Sequence, residues 1–479
     1  MKVGKKQIYI IVLELCALLC SALYLGLYGS SLTFAEYSRF GVVVLLLDLV
    51  LFCIAQKRIV TIQTLFLMLF VLFQFGLPIV YAFNPKHNNF YMTLFSEKTL
   101  ISAVKYTIFA IQTYIIIATC VISNRNHAEK KGKVGKWTKT ILTHPRDVEN
   151  AALLLFIVTA IVAVPVNLWS AVRALTAGVA IENLYRGAMA ANGLTRFLQE
   201  FFFSSALLYL CFSNKKKRKK VVVAVYLVVA LSMVLVADRS GGVTALIVCA
   251  LYYYYTGDKR KRKKNTLVLI GVGVVLAIVS SAVAFIRSGE SSQSGISLLF
   301  SALEEMGFNF TSLCFVMDYI PSRTSYCLGM SYIVALILLI PKSLGLGAVY
   351  PKLQSYLGET WLWNANNLYG RDFLSFGVGF SMIAESYYNF SWCGLVVMIP
   401  LAVIITHLLK EKNFENAWSL YIRLALMLSF FTVPRRQFES VIKAIEYSVF
   451  FMALYLLVYI WTKRKDKRNE TANDINRCI

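Results

Sequence analysis

Long apolar segments recur along almost the whole chain, and several reach the roughly 20 residues that a helix needs to cross a bilayer. The first segment, residues 8–28, follows the basic start MKVGKK and is too long for the apolar part of a signal peptide, so an uncleaved first helix is predicted. Because hydrophobic residues make up 58% of the chain, against about 45–50% in soluble domains, we predict an all-α, polytopic membrane helical bundle.

The apolar segments predict about 12 transmembrane helices in a single membrane domain, residues 1–479. The predicted spans are 8–28, 38–55, 59–83, 100–122, 150–172, 195–213, 221–237, 240–256, 265–286, 392–409, 417–433 and 440–461. A further apolar piece, 330–341, is too short to span and is expected to be re-entrant or interfacial.

Basic residues cluster between these segments. The chain has 49 Lys and Arg residues and a formal net charge of +24, and 32 of the 49 fall on one side of the predicted topology. Clusters of this kind mark the cytoplasmic side, which predicts cytoplasmic termini, a basic cytoplasmic loop at 123–149 and a cytoplasmic tail at 462–479. The charge is therefore attributed to anchoring beside membrane lipid, and no nucleic acid partner is expected.

The same topology places one long segment, residues 287–378, on the extracytoplasmic side. We expect this large outer loop to contain short helices or a re-entrant piece. Loops held on a rigid helical scaffold often carry function, so the functional site is expected on this side.

Several arginines on the predicted outer side oppose the charge rule. They are Arg173, Arg186, Arg239, Arg287, Arg323, Arg371, Arg435 and Arg436. Any one of them could be a paired or snorkelling side chain, but as a set they favour an anion held at the outer surface, because the planar guanidinium suits phosphate oxygens.

Two of these positions are distinctive. Arg239 lies in the sequence DRSGG, a tight turn between two spans, for which a simple glycine turn with a local Asp–Arg pair is an equal alternative. Arg435 and Arg436 are adjacent and end an apolar helix on the outside. Two cations at that depth are costly unless they are functional.

Aromatic and amide residues alternate in the sequence ETWLWNANNLYGRD, which begins at Glu359. Trp361, Trp363 and Asn366 supply flat rings and amide groups that match the apolar faces and hydroxyl edges of sugars. The alternative is an aromatic belt at the membrane interface.

A polar stripe follows in the sequence GVGFSMIAESYYNF. Ser381, Glu385 and Tyr388 or Asn389 are spaced i, i+4 and i+7 or i+8, which predicts one helical face. Glu385 would then lie at membrane depth or at its edge, where an ionisable group marks a functional site by default. The glycines before this helix could bring its N-terminal N–H groups to a phosphate.

No metal or cofactor is expected. The four histidines and ten cysteines have no metal-ligand spacing, and no phosphate-binding glycine loop is present.

The chain resembles the Wzy-type oligosaccharide repeat-unit polymerases, which make O-antigen or capsular polysaccharide. The resemblance is sharpest at GVGFSMIAESYYNFSWCGL, which is similar to the family's Gly-x-Gly-x-Ser-x-x-x-Glu-x-x-x-Asn-Phe stretch, and it extends to VLVADRSGGVTALIV, an arginine-bearing turn shared with O-antigen ligases. One departure is that no outer arginine here begins the motif of Arg, fifteen residues and Gly that is found in some members.

The resemblance implies a membrane glycosyltransferase in the bacterial cytoplasmic membrane. Its donor would be a glycan on undecaprenyl diphosphate, its acceptor a repeat unit on the same lipid, and a chain-length regulator would be a further partner. The site would need cations for the departing diphosphate, a base for the acceptor hydroxyl and a sugar platform. The catalytic residues expected are Glu385, Arg435, Arg436 and Arg239. The substrate-binding residues expected are Arg371, Asp372, Trp361, Trp363, Asn366, Ser381, Asn389 and Arg287.

Two other functions remain open at this stage. A flippase or transporter for lipid-linked glycans would also need many helices and internal cations, but would not usually have so long an outer loop. An O-antigen ligase would use the same donor with a different acceptor, and the sequence separates it poorly from a polymerase.

Overall fold

The computed structural model describes most of the 479 residues. The described residues are 5–27, 32–56, 61–87, 89–123, 145–176, 193–235, 239–257, 271, 295–340, 348–368, 370, 379–409 and 417–478. Within these ranges the chain forms α-helices and short 3-10 turns with no β-strand, which confirms the predicted all-α class.

Seventeen α-helices lie within the described ranges. In chain order they are α1 Lys5–Leu27, α2 Phe34–Gln56, α3 Ile62–Phe83, α4 Glu97–Ser123, α5 Pro145–Thr176, α6 Gly193–Phe212, α7 Lys216–Leu235, α8 Arg239–Thr256, α9 Gly295–Gly307, α10 Phe310–Tyr319, α11 Met330–Ile337, α12 Tyr350–Gln354, α13 Gly358–Leu368, α14 Met382–Phe390, α15 Met398–Leu409, α16 Ala417–Phe430 and α17 Phe438–Cys478. Three 3-10 turns, Met92–Leu94, Ser391–Val397 and Val433–Arg435, lie between them.

Eight helical segments of the described chain are long and apolar enough to cross a membrane. They are Gln7–Leu27, Phe34–Gln56, Ile62–Phe83, Glu97–Ser123, Asp147–Arg173, Met382–Leu409, Ala417–Arg435 and Phe438–Lys463. Leu198–Phe212 and Gly241–Thr256 are apolar but shorter. A polytopic helical bundle is therefore confirmed, whereas the number of twelve spans stays a prediction.

One predicted span begins earlier in the structure, and another cannot be compared with it. The span predicted at 392–409 begins ten residues earlier, at Met382, because α14, the 3-10 turn Ser391–Val397 and α15 form one continuous apolar segment. The span predicted at 265–286 falls outside the described residues, apart from Gly271. The short apolar piece predicted at 330–341 begins as helix α11.

The chain divides into two compact units. Unit 1 comprises Met1–Lys130, Ala284–Glu411 and Val433–Lys443, and unit 2 comprises Lys131–Val283, Lys412–Thr432 and Ala444–Ile479. Unit 1 contains α1–α4, α9–α15 and the first residues of α17, and it includes Glu385, Arg435 and Arg436. The predicted division into one membrane domain, a large outer loop, a cytoplasmic basic loop and a tail stays a prediction.

Inside unit 1, α3 and α9 approach until their backbones touch. A Cβ atom on Gly307 would lie 2.0 Å from the backbone nitrogen of Leu77, and one on Gly76 would lie 2.7 Å from the carbonyl oxygen of Leu303. Small residues allow such close helix crossings in membrane proteins. The contact holds the start of the predicted outer loop against a membrane-spanning helix.

Candidate active site

Glu385 lies in the first turn of α14, and the sequence before it explains why the helix begins there. Ser381 is the N-cap: its hydroxyl oxygen accepts a hydrogen bond from the backbone N–H of Ala384 at 3.1 Å. Gly379 precedes it with φ +72°, a left-handed conformation that suits glycine. This tight entry turns the chain into α14 and directs Glu385 into the interior of unit 1.

The carboxylate of Glu385 is fully buried, and both oxygens accept hydrogen bonds. Oε1 accepts from the hydroxyl of Ser331 at 2.7 Å, and Oε2 accepts from the backbone N–H of Phe438 at 2.6 Å. Glu385 is 0% exposed. Because Phe438 is the first residue of α17, the carboxylate also lies at a helix N-terminus, where a negative charge is stabilised. Glu385 therefore joins the starts of α11, α14 and α17.

Asn389 lies one turn further along α14 and completes the same network. Its side-chain nitrogen donates to Ser331 Oγ and to the backbone oxygen of Glu385, each at 2.8 Å. Its side-chain oxygen accepts from the backbone N–H of Gly329 at 2.8 Å. The predicted stripe is thus buried and fixes the residues that precede α11.

Gln437, beside Phe438, connects this network to α13. Its side-chain oxygen accepts from the backbone N–H of Glu359 at 3.1 Å, and its nitrogen donates to Glu439 Oε2 at 2.9 Å. Glu439 also forms an ion pair with Lys443 at 2.5 Å. Gln437 is 4% exposed, so the segment 437–439 is a buried junction.

Arg435 and Arg436 directly precede this junction and have exposed side chains. The guanidinium carbon of Arg435 lies 5.7 Å from the centroid of the Phe73 ring, a cation–π contact with α3. The amide of Gln74 donates to the carbonyl of Pro434, which ties the turn Val433–Arg435 to the same helix. The chain is thus hydrogen bonded to α3 just before the arginine pair, at Pro434, and to Glu385 just after it, at Phe438.

Charged groups of both signs surround the pair. Arg436, Arg435, Glu439 and Lys443 all act electrostatically on the carboxylate of Glu359. The two exposed arginines can bind an anion. The neighbouring carboxylates of Glu359 and Glu439 can accept a hydrogen bond from a hydroxyl group.

The chain was also compared with known proteins. The sequence model of a family described as O-antigen polysaccharide polymerase Wzy matches residues 6–465. The chain belongs to this family. Searches of curated proteins and of solved structures found no significant match.

Membership of the Wzy family confirms the resemblance stated from the sequence. Together with the apolar helices, it makes the chain an integral membrane protein of the bacterial inner membrane. Wzy proteins are glycosyltransferase-like polymerases that act on lipid-linked oligosaccharide repeat units in the membrane, and the chain's general function is O-antigen repeat-unit polymerisation.

For this Wzy-family chain, α13 separates the predicted sugar-platform residues into two faces. Trp361 packs inward, with its ring centroid 4.7 Å from that of Tyr388, and Asn366 accepts a hydrogen bond from the hydroxyl of Tyr319 at 2.7 Å. Trp363 is 43% exposed, on the outward face with Asn364. Of the two tryptophans, Trp363 therefore has the more exposed ring.

The other predicted site residues are placed less completely. Arg239 begins α8 and belongs to unit 2. Arg287, Arg371 and Asp372 lie outside the described residues. Their assignments stay predictions.

Sequence reasoning did not single out Ser331 or Gln437 as functional. No sequence signal marks Ser331, which is one of many serines in this polymerase-family chain and becomes the partner of Glu385 only through folding. Gln437 had a weak signal, since it is the polar residue that directly follows the two arginines.

Proposed function

We propose that this chain transfers a growing glycan from undecaprenyl diphosphate to a hydroxyl group of a lipid-linked repeat unit at the outer face of the membrane. The bond between the anomeric carbon and the diphosphate oxygen breaks, and the electron pair leaves with the lipid diphosphate. A bond from the same carbon to the acceptor oxygen forms, and the hydroxyl proton passes to a base or to the departing diphosphate. The diphosphate is a good leaving group, so the protein must mainly bind charge and orient the acceptor.

Arg435 and Arg436 are proposed to bind the diphosphate. Their side chains are exposed and adjacent. Hydrogen bonds at Pro434, Gln437 and Phe438 fix the backbone on either side of them in the chain. Arginine can bind phosphate oxygens in a bidentate manner, which favours it over a point charge for this task. Arg239, Arg287 and Arg371 are retained as further candidates for charge binding.

Glu385 is proposed as a positioning residue for this arginine pair. Its carboxylate holds the N–H of Phe438, two residues after Arg436, and it is buried from solvent. A general base must come within about 2.6–3.2 Å of the proton that it abstracts, whereas Glu385 is buried and each of its oxygens accepts a hydrogen bond from the protein in this conformation. The role as general base, or as the group that orients the acceptor hydroxyl, stays a prediction.

The outward face of α13, with Trp363 and Asn364, is proposed to bind the sugar units. An aromatic ring with a neighbouring amide suits a glycan that presents alternating C–H and hydroxyl groups. The cytoplasmic location of both termini, the outer position of residues 287–378 and a chain-length regulator as partner belong to the same proposal.

One observation carries the proposal most strongly. The glutamate of the family-type stretch accepts a hydrogen bond from Phe438, two residues after an exposed arginine pair, although Glu385 and Phe438 are 53 residues apart in the chain.

The experiment is a reaction with the purified protein in vesicles that contain a lipid-linked repeat unit. Polymer should form with the wild type, and Arg435→Ala with Arg436→Ala should strongly reduce it, whereas Lys at both positions should reduce it partly. Arg218→Ala is the control, because Arg218 is also exposed but belongs to the basic run 215–220 on the predicted cytoplasmic side. Normal polymer from the double alanine variant would exclude the arginine pair.

The same vesicles distinguish the two other functions. Transport of the lipid-linked glycan without a new glycosidic bond would indicate a flippase. Transfer of the glycan only to a different acceptor, with no lengthening of the repeat-unit chain, would indicate a ligase.

A further inference from the structure

Two carboxylates lie inside apolar helices of unit 1, away from the candidate active site residues. Glu14 is in α1 and Asp48 is in α2, and they are 0% and 1% exposed. At 1.5 Å per residue, each lies about 12–14 Å along its helix from the end where α1 begins and α2 ends. Both helices belong to the segments able to cross a membrane, so the two acids are at intramembrane depth.

Helix α4 supplies one hydrogen-bond donor to each acid. The hydroxyl of Thr119 donates to Glu14 Oε1 at 2.8 Å, and the side-chain nitrogen of Gln112 donates to Asp48 Oδ2 at 3.1 Å. Thr119 and Gln112 are seven residues apart, which is two helical turns on one face. The acids therefore face the same side of α4, and they act on each other electrostatically.

Each acid retains an oxygen without a hydrogen-bond partner among the described residues. These atoms are Glu14 Oε2 and Asp48 Oδ1, and the side-chain oxygen of Gln112 is likewise unpartnered. Gln112 is 0% exposed, and because its nitrogen binds Asp48, its oxygen lies at the same acid. Ser123, one turn beyond Thr119, is also buried with an unpartnered hydroxyl oxygen.

Two basic side chains on these helices are engaged elsewhere. Lys105 of α4 lies 4.8 Å from the centroid of the Tyr37 ring, and Arg39 of α2 donates to the carbonyl oxygen of Ala82. No salt bridge within the described ranges involves either acid. Cys120 of α4 is the titratable group next to Glu14, and it brings no positive charge. The cluster thus has a surplus of acceptors in an apolar setting, where an unpaired carboxylate is costly.

We propose that Glu14, Asp48 and Gln112 form a membrane-embedded site for a small cation, either a proton or an alkali-metal ion. A proton on one carboxyl would turn an acceptor into a donor, and an alkali-metal ion would be bound by the same oxygens, which are ligands of the type that hard cations prefer. Either occupant neutralises charge that α1, α2 and α4 otherwise bury. The site is independent of the polymerase chemistry proposed above.

The test uses the purified full-length protein and does not depend on activity. Infrared spectra should show the carbonyl band of a protonated carboxyl near neutral pH, and Glu14→Gln or Asp48→Asn should remove it if the occupant is a proton. If it is an alkali-metal ion, the band is absent but Tm rises saturably with NaCl or LiCl beyond the response to choline chloride at equal ionic strength, and the variants lose that rise. Glu36→Gln is the matched control, because Glu36 lies on α2 but is exposed and accepts bonds from Thr33. Wild-type protein with neither the band nor a cation-specific rise in Tm would overturn the proposal, whether or not the variants fold.

Discussion

Replacing Glu385 by glutamine tests whether this residue positions the arginine pair or takes a proton. The carboxylate accepts two hydrogen bonds, from Ser331 and from the N–H of Phe438. Glutamine can keep its oxygen on the N–H of Phe438 and donate from its nitrogen to Ser331 Oγ, but the hydroxyl proton of Ser331 then loses its acceptor and Phe438 loses a charged one. Even a variant without any catalytic change therefore disturbs the junction that holds Arg435 and Arg436.

The expected magnitude follows from those contacts. Leaving one buried polar group unsatisfied costs about 1–3 kcal/mol, and more where a charged acceptor is lost. A change of about 1.36 kcal/mol corresponds to a factor of ten. If the whole free energy disfavours the binding-competent position of the arginine pair, the polymerisation rate falls by about 5- to 150-fold. Removing a general base commonly costs about 10²–10⁴-fold, so the size of the loss alone does not separate the two roles.

Ser331→Ala separates them. It removes the donor to Glu385 Oε1 and leaves the carboxylate in place, while Asn389 keeps its bond to the backbone of Glu385. If Glu385 positions the arginine pair, we expect Ser331→Ala and Glu385→Gln to weaken polymerisation in the same way. Both should raise KM for the lipid-linked donor, with the shape of the pH–rate profile unchanged. Glu385→Asp, which keeps the charge but withdraws it by one methylene, should retain part of the activity.

The assay is glycan chain length on gels from a polymerase-null host, with protein level checked by blot, followed by kinetics on the purified protein. Normal polymer from Ser331→Ala, together with a Glu385→Gln whose low residual activity has lost the acidic limb of the pH–rate profile, would refute the positioning role and support a general base. Normal polymer from Glu385→Gln would remove the residue from both roles.

Three other outcomes follow from the topology and packing. An impermeant thiol reagent on intact cells should modify cysteines introduced at 287–378 and spare those at 215–220, and the reverse pattern would contradict the predicted orientation. Trp363→Ala should reduce polymer yield several-fold while Tm stays within about 1 °C of wild type, since the ring is 43% exposed; unchanged yield would argue against the sugar platform. Gly307→Val should lower the free energy of unfolding by about 1–3 kcal/mol or more, because its Cβ would meet the nitrogen of Leu77 at 2.0 Å, and a thermal melt that matches the wild type would contradict the tight crossing.

The class of this protein follows from its sequence because the bilayer leaves few alternatives. Apolar segments of about 20 residues must form helices in lipid, where the backbone has no other partner, so the helical bundle was predictable without tertiary contacts. The motif around Glu385 could also be recognised from the sequence, because the family-type spacing of its polar residues is local in the chain. Glu14 and Asp48 could also have been noticed in the sequence, because each interrupts an apolar segment.

Only the tertiary structure decided which of these residues meet. Glu385 finds its partners 54 residues before it, at Ser331, and 53 residues after it, at Phe438, and no spacing in the sequence encodes either distance. Likewise, Trp361 and Trp363 are two residues apart, yet Trp361 packs against the buried ring of Tyr388 and Trp363 is exposed on the other face of α13. Local periodicity specifies which face a residue occupies on its own helix, whereas the packing of helices distant in the chain determines what that face contacts.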